Sequence, residues 1–404
     1  MVIGIIGAGA SGMAAAIAAA QNPEIQVVLM ERQARVGKKL LATGNGRCNL
    51  SNKNASGANY YGENPAFAKP ALERFPVEDT LRWFGDLGLF TVTEDSGKIY
   101  PYSDQANSVV DVLRFALMRP NISLKTGFDV RKVRNTAEGF LVQGENETVI
   151  CDKLIVACGG LAGTKLGGSM SGYKLLSMFG HKTTKLRPSL VQLKTVWGGI
   201  AGLKGVRANC NLKILRDNAV FTESTGEIQF TDYGISGPVV FEVSRDVCHG
   251  NGIWSAQMDF LPDCSEKMLR EALCDRRNTE LTADELLTGI VHNRLGRLLV
   301  RSAGLRDTMY IRDLDDSVIA SVCRAVKCFS LELSEPMGMD NAQVTAGGII
   351  TNDFDSTTME SKLVNGLYAC SEVLDIDGDC GGYNLQWAWS SGRLAGESAA
   401  GGIL

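Results

Sequence analysis

The sequence has no stretch of about 18 consecutive apolar residues, the length a helix needs to cross a bilayer. Its apolar start, Met1 to Ile6, has no basic flank and runs straight into glycine, so it reads as a strand and not as a secretory leader. A soluble, cytoplasmic protein with no membrane partner is expected. Basic runs are missing as well: 41 lysines and arginines face 45 acids, the formal charge is −4, and no segment resembles a footprint for phosphate backbones. Nucleic-acid binding is therefore not expected. Histidine is scarce. His181, His249 and His292 are far apart and lack an H-E-x-x-H pattern or cysteine partners, so no metal is expected. Ten prolines and mixed polarity exclude collagen-like and low-complexity chains. The eleven cysteines lack the spacing of a disulfide framework and read as reduced thiols; Cys323 and Cys328 form one C-x4-C, read here as two ordinary helix thiols.

Glycine, by contrast, is plentiful. Forty-five of 404 residues exceed the usual ~7% and mark tight turns around ligands. At about 150 residues per domain the length predicts two or three domains. The most informative segment is residues 2 to 31: a short apolar strand, then Gly7-Ala8-Gly9-Ala10-Ser11-Gly12, an alanine-rich helix to about Gln21, and a second strand ending at Glu31. Gly7 permits the tight turn, Gly9 lets the backbone approach a pyrophosphate, and Gly12 allows close packing of helix on strand. The helix N-terminus supplies N–H donors and positive partial charge. Glu31 stands nineteen residues after Gly12 (31 − 12), where a carboxylate accepts from ribose hydroxyls. The pattern predicts an ADP-containing cofactor.

Four later segments favour FAD over NAD. Residues 35 to 52 form a glycine-rich basic loop with amide and hydroxyl donors; Phe128-Asp129-Val130 begins a strand-like stretch; Lys153 to Gly160 is a buried strand ending in a glycine turn. Gly366 to Asn384 leads into a helix running to about Ala400. A helix starting near Tyr383 would aim its positive end at flavin N1 and the C2 carbonyl, where negative charge collects on reduction. A second G-x-G-x-x-G is absent: Gly167 to Gly172 has the wrong spacing and Gly198 to Gly205 lacks G-x-G. A resident NAD(P)H domain is not supported, although NAD(P)H could visit the flavin transiently. Gly234-Ile235-Ser236-Gly237 has the wrong register for a nucleophile elbow, so hydrolase chemistry is discarded.

These segments resemble the BaiN-like, aminoacetone-oxidase-type FAD-binding flavoproteins, which are related to the glutathione-reductase-like FAD fold. The resemblance spans essentially the whole chain and rests on GKKLLATGNGRCNLSN at 37 to 52, VACGGLAGTKLGGSMSGYKLLSMFGH at 156 to 181, GEIQFTDYGISGPVV at 226 to 240, VTAGGI at 344 to 349 and GLYACSEVLDIDGDCGGYNLQWAWSSGRLAGE at 366 to 397. It implies an α/β fold: a discontinuous Rossmann-like FAD-binding domain at 1–189 plus 336–404, and an inserted β-rich, barrel-like domain at 190–335 with a small helical part at about 262–325. It further implies that Gly7, Gly9, Gly12 and Glu31 hold the ADP half and Val130 the adenine side. Thr43, Asn45, Arg47, Cys48 and Asn49 would serve the middle or flavin end, and Gly382, Tyr383, Asn384 and Leu385 the pyrimidine edge. Ala10, Ser11, Arg32, Lys39, Gly44, Ala157, Gly159, Gly160, Glu372 and Asp375 complete the expected cofactor site. Three residues depart from the pattern: Cys158 replaces threonine, Ser371 glycine and Asp232 histidine.

Within the insertion, Asn211 to Leu215, Ile228 to Thr231 and Trp254 to Phe260 alternate as strands, while Ser265 to Arg277 and Thr282 to Ala303 read as helices. The expected function is an FAD-dependent oxidoreductase moving hydride through flavin N5 to or from a small organic substrate, either by reduction of a steroid-like enone or by amine oxidation. A flavin-containing RNA-binding or RNA-modifying protein and a non-catalytic flavin-binding regulator are the alternatives. No catalytic side chain and no oligomeric state is read from the sequence.

Overall fold

The computed structural model describes residues 1–402. The chain divides into two compact units, one made of Met1–Pro188 with the chain from Ala342 onward, the other of Ser189–Asn341. In the first unit a five-stranded parallel sheet is built from β1 (Val2–Ile6), β2 (Gln26–Glu31), β7 (Ile122–Thr126), β11 (Lys153–Val156) and β20 (Leu367–Ala369). Their order is β20-β11-β1-β2-β7. Strand β1 pairs with both β2 and β11, which sets the first crossover, and β20 brings the C-terminal segment back beside β11. Smaller sheets flank this one: β3 (Ser51–Asn52) with β5 (Thr91–Thr93) and β6 (Lys98–Pro101), β4 (Tyr60–Tyr61) with β21 (Asp377–Gly378), and β8 (Lys132–Thr136) with β9 (Gly139–Gln143) and β10 (Thr148–Cys151). The expected strand at Phe128 starts later, at Lys132: Phe128 to Val130 hold no ladder, because the Phe128 N–H is spent on the Glu31 carbonyl at 2.9 Å.

The helices of this unit are α1 (Ala10–Ala19), α2 (Lys69–Arg74), α3 (Val77–Asp86), α4 (Ala106–Ala116), α5 (Ser171–Ser177) and α10 (Tyr383–Ala399). Alanine is the strongest helix former and the smallest side chain that helices pack through, which suits α1. Every residue of α1 after Ala10 is buried, so it has no polar face; it lies between the sheet and α10. Gly392 and Gly396 rest on its backbone, each placed where a Cβ would stand 2.3 Å from the Ser11 or the Ala15 carbonyl oxygen respectively.

The second unit has its own apolar core and a closed barrel ordered β13-β16-β15-β14-β17-β18. Its strands are β13 (Leu193–Thr195), β14 (Arg207–Arg216), β15 (Ala219–Phe230), β16 (Gly234–Ser236), β17 (Trp254–Asp259) and β18 (Phe329–Pro336). Its helices are α6 (Pro238–His249), α7 (Glu266–Asp275), α8 (Asn293–Ser302) and α9 (Asp316–Lys327); the short strand β19 (Val344–Ala346) belongs to the first unit and pairs with β12 (Arg187–Ser189). The mixed α/β architecture with parallel sheet and barrel is the one the resemblance implied. The expected helix from Thr282 to Ala303 is broken. Thr282 does form a capping box, but with a single turn, Ala283–Glu285. Gly289 then takes φ +79, and the chain restarts as a helix only after His292, whose Nδ1 accepts the Arg294 N–H at 3.2 Å.

Candidate functional site

The glycines at the β1–α1 turn do three separate jobs. Gly7 adopts φ +102, and a Cβ there would sit 2.5 Å from the Ala157 carbonyl oxygen at the end of β11. At Gly12 a Cβ would stand 1.8 Å from the Gly7 oxygen, so the first turn of α1 lies on the loop before it. Gly9 faces the other way: a Cβ on it would meet nothing within 4 Å. No side chain caps α1, and its first helical bond runs from Met13 N–H to Gly9 at 3.0 Å. The N–H groups of Ala10, Ser11 and Gly12 therefore lack helical acceptors on the open side of Gly9. Such a cradle fits a pyrophosphate by shape and charge.

Glu31 ends β2 with its carboxylate fixed by two amides: one oxygen accepts the Ala8 N–H, the other the Gln33 N–H, both at 2.8 Å. Each oxygen keeps a further lone pair for a ribose hydroxyl. Half-buried Val130 lies beyond the same strand end, which Phe128 and Gly127 tie down through the Glu31 and Gln33 carbonyls. Arg32 is exposed and its guanidinium donates to the Gly167 carbonyl at 2.6 Å.

The loop after Lys39 meets the start of α10. Gly44, Asn45, Gly46 and Cys48 all take positive φ, which winds the chain tightly around its own amides. Thr43 closes the loop at Leu40 through its hydroxyl and at Cys48 through its carbonyl. Asn49 accepts the Ile99 N–H at 3.2 Å. At Gly382, φ +104, a Cβ would be 2.3 Å from the Ser51 oxygen and 2.9 Å from the Asn49 side-chain oxygen. The Asn52 amide donates to Gly381 at 3.0 Å, the Ser51 hydroxyl to Gln386 at 2.6 Å, Trp389 to Leu50 at 2.9 Å, and the Tyr60 hydroxyl to the Tyr383 carbonyl at 3.0 Å. These bonds pin the helix start on the loop. No side chain caps α10, whose first turn carries Tyr383, Asn384 and half-buried Leu385.

The two uncapped helix starts are in register. Ser11 pairs with Gly392 and Ala15 with Gly396, so α1 and α10 run parallel where they touch. From Gly392 back to Tyr383 is nine residues and from Ser11 back to Ala10 is one, a difference of eight. At ~1.5 Å per residue, α10 begins about 12 Å ahead of α1. One positive helix end thus follows the other in the same direction along the site.

A third group closes the floor. Lys39 pairs with Glu372 at 2.9 Å; the other Glu372 oxygen accepts the Thr345 N–H at 2.8 Å. A Cβ on Gly160 would be 2.3 Å from that oxygen, and the Thr345 hydroxyl accepts the Ala162 N–H at 2.8 Å. Gly159 takes φ +67 beside open space. Buried Asp375 accepts the Glu63 N–H at 3.0 Å.

Some expected ligands are engaged by the protein itself. Asn384 spends both ends of its amide on Gly378, at 2.8 Å each, and fixes that turn. Arg47 is bound by Asp104 and by Glu94 (3.0 Å) and lies 4.0 Å over the Tyr100 ring. Cys48 is fully buried; desolvation pushes its thiol up to about 12, with Thr43 pulling weakly the other way. Burial likewise raises Cys158 to about 12. Ser371 stands at φ +68, where a side chain costs about 1–2 kcal/mol, which fits the glycine that the resemblance implies at this position. Exposed Asp232 pairs with Lys204 at 2.8 Å. Cys323 is buried within α9 while Cys328 is exposed beyond its end, so the two face different surroundings. Sequence reasoning missed Thr345, Tyr100 and Gln386. Thr345 and Gln386 lay inside quoted motifs; Tyr100 carried no signal beyond a strand-like run.

A Rossmann sheet whose glycine cradle and C-terminal helix start lie along one line is the frame of an FAD-dependent oxidoreductase, and this chain is of that class. It belongs to the HI0933-like protein Rossmann domain family, whose model matches residues 1–398. It is 41% identical over 408 residues, 98% of each chain, to a 3-dehydro-bile acid delta(4,6)-reductase of Clostridium scindens. It is 32% identical over 392 residues, 96% of this chain and 95% of the relative, to a ribosomal RNA dihydrouridine synthase of Escherichia coli. Among solved structures it is similar to a flavocytochrome c3 fumarate reductase in its open conformation, with a TM-score of 0.47 and 15% identity, covering 98% of this chain and 78% of that one.

Proposed function

We propose that the chain binds FAD extended from the α1 cradle to the α10 start and saturates a carbon–carbon double bond conjugated to a carbonyl in a small, steroid-like substrate. The observation that carries the cofactor half is the parallel pair of uncapped helix starts, about 12 Å apart along the axis. In this reading the amides of Ala10, Ser11 and Gly12 hold the pyrophosphate, Glu31 the adenosine ribose, and the amides of Tyr383, Asn384 and Leu385 the flavin pyrimidine edge. Bound FAD supplies a two-electron hydride centre at N5. Lys39, Glu372 and Thr345 keep β11, β19 and the C-terminal segment at fixed spacing beneath it.

The substrate half rests on the reductase relative, whose name gives its substrate a 3-oxo group and 4,6 double bonds. The dihydrouridine synthase relative favours a second reading, since the uracil double bond that its product lacks is also conjugated to a carbonyl. The chemistry is shared and the substrates differ. A net charge of −4 supports the small molecule over RNA. With no second dinucleotide fingerprint in the sequence, NAD(P)H would serve bound flavin as a visiting electron donor. Among the described residues no helix is long and apolar enough to cross a membrane.

The test is visible absorbance under anaerobic conditions. Purified protein should be yellow, bleach with NADH or NADPH, and regain colour with a steroid enone. Colourless protein that takes up no FAD overturns the cofactor reading. Recovery of colour with a ribosomal RNA fragment at low salt, and with no enone, transfers the function to RNA.

A further inference from the structure

Saturating a conjugated double bond needs a hydride at one carbon and a proton at the other, and the proton must come from a group beside the flavin end of the site. We infer that Tyr100 is that proton donor; the inference rests on the reductase reading above. Strand β6 runs beside β3, with Ile99 opposite Ser51 and Lys98 opposite Asn52. Because side chains alternate along a strand, Ile99 enters the core while Lys98 and Tyr100 share the other face. That face is the flavin end. A Cβ on Gly44 would lie 3.3 Å from the Tyr100 ring edge, and one on Gly381 would lie 3.1 Å from the Lys98 stem.

The other polar groups at this end are less suited. Cys48 is a buried thiol, Asn384 is consumed by Gly378, and Arg47 is held by Asp104 and Glu94. Tyr100 differs: the residue is only 7% exposed, its ring edge faces Gly44, and Arg47 engages the face of the ring and leaves the hydroxyl free of that ion pair network. The Arg47 guanidinium, 4.0 Å over its ring, fixes the ring and offsets negative charge left on the oxygen. Burial and Glu94 hold the phenol above its usual pKa, so it stays protonated near neutral pH; Arg47 pulls in the opposite sense.

Bound FAD, once reduced, would supply the hydride that forms the C–H bond at the carbon remote from the carbonyl. The π electron pair forms the second C–H bond with the Tyr100 proton as the O–H bond breaks. The phenolate is reprotonated by solvent, and the electrons come from a nicotinamide nucleotide that reduced the flavin beforehand.

Tyr100→Phe keeps the ring under Arg47 and removes only the proton. Its FAD dissociation constant, read by protein fluorescence, and the rate of bleaching by NAD(P)H should match the wild type. Reoxidation by a steroid enone should slow about a hundredfold or more, while reoxidation by ferricyanide, which needs no proton delivered to carbon, should not change. The wild type should lose rate at high pH as the phenol ionises, and that loss should be absent in the variant. Enone reoxidation at the wild-type rate overturns the assignment, as does loss of FAD binding, which would make Tyr100 a binding residue. A wild type that holds FAD but is reoxidised by no enone overturns the reductase reading and the proton donor with it.

Discussion

Gly396 of α10 lies against the backbone of Ala15 of α1, so closely that a methyl group on Gly396 would stand 2.3 Å from the Ala15 carbonyl oxygen. Gly392 repeats the relation with Ser11 one turn earlier. The contact fixes how far the α10 start projects beyond the α1 start, and in the proposed reading that offset sets the span of cofactor between the two helix starts. Gly396→Ala should cost about 1–3 kcal/mol through overpacking and lower the melting temperature of the apoprotein. Gly396→Val should be worse and should release FAD even where the fold survives. An unchanged melt and unchanged flavin occupancy for both variants would refute the register argument.

Gly9 and Gly12 should respond oppositely to the same substitution. Gly12→Ala drives a methyl 1.8 Å from the Gly7 oxygen, backbone against backbone, and should unfold or severely destabilise the apoprotein. Gly9→Ala meets nothing in the protein, so the apoprotein should melt as the wild type does while FAD affinity falls; Gly9→Val should lower it further. Thermal melts paired with FAD titration separate the two, and full FAD affinity in Gly9→Val would remove the pyrophosphate from this turn.

The contrast marks what a sequence can disclose. Gly7, Gly9, Gly12 and Glu31 were legible because one short βαβ run contains the turn, the helix and the acid. The barrel and parallel sheet followed from the family likeness. Register between α1 and α10 was hidden, because Ser11 and Gly392 lie 381 positions apart (392 − 11) and nothing local records their meeting. Arg47 and Asn384 were expected at the cofactor from the family resemblance, and nothing local in the sequence disclosed that their side chains are also held by Asp104, Glu94 and Gly378. The break at Gly289 escaped a reading based on apolar spacing, since Leu286, Leu287 and Ile290 fit a helix in spacing but not in backbone angle.

His181 should make the fold sensitive to acid. Its Nε2 lies 2.9 Å from the Ser361 hydroxyl, which already accepts the Leu363 and Val364 N–H groups at 3.1 Å each. The hydroxyl must therefore donate to a neutral imidazole, and a protonated ring would set donor against donor. Burial lowers the His181 pKa; Asp353, 3.8 Å from Nδ1, raises it by less. Since the unfolded chain then binds the proton more readily, stability falls as pH drops below about 6.5 and continues to fall until the folded-state pKa is passed. Urea midpoints at acid and neutral pH should converge for His181→Gln relative to the wild type. An equal acid loss in both proteins would assign the effect to other groups.

Thiol labelling discriminates a redox pair from packing cysteines. Cys48 and Cys370 are fully buried, and desolvation pushes both up to about 12, so neither presents a thiolate at neutral pH. Cys328 is exposed, whereas Cys323, five positions away, is buried with its thiol pushed up to about 11. An alkylating reagent at neutral pH should label Cys328 first and reach Cys48, Cys323 and Cys370 only after unfolding, as mass spectrometry of digested protein would record. Rapid labelling of Cys48, or a Cys323–Cys328 disulfide formed by mild oxidant in the folded protein, would reinstate a thiol relay. Without such a relay, the proposed reading requires that a visiting donor reduce bound flavin by direct encounter.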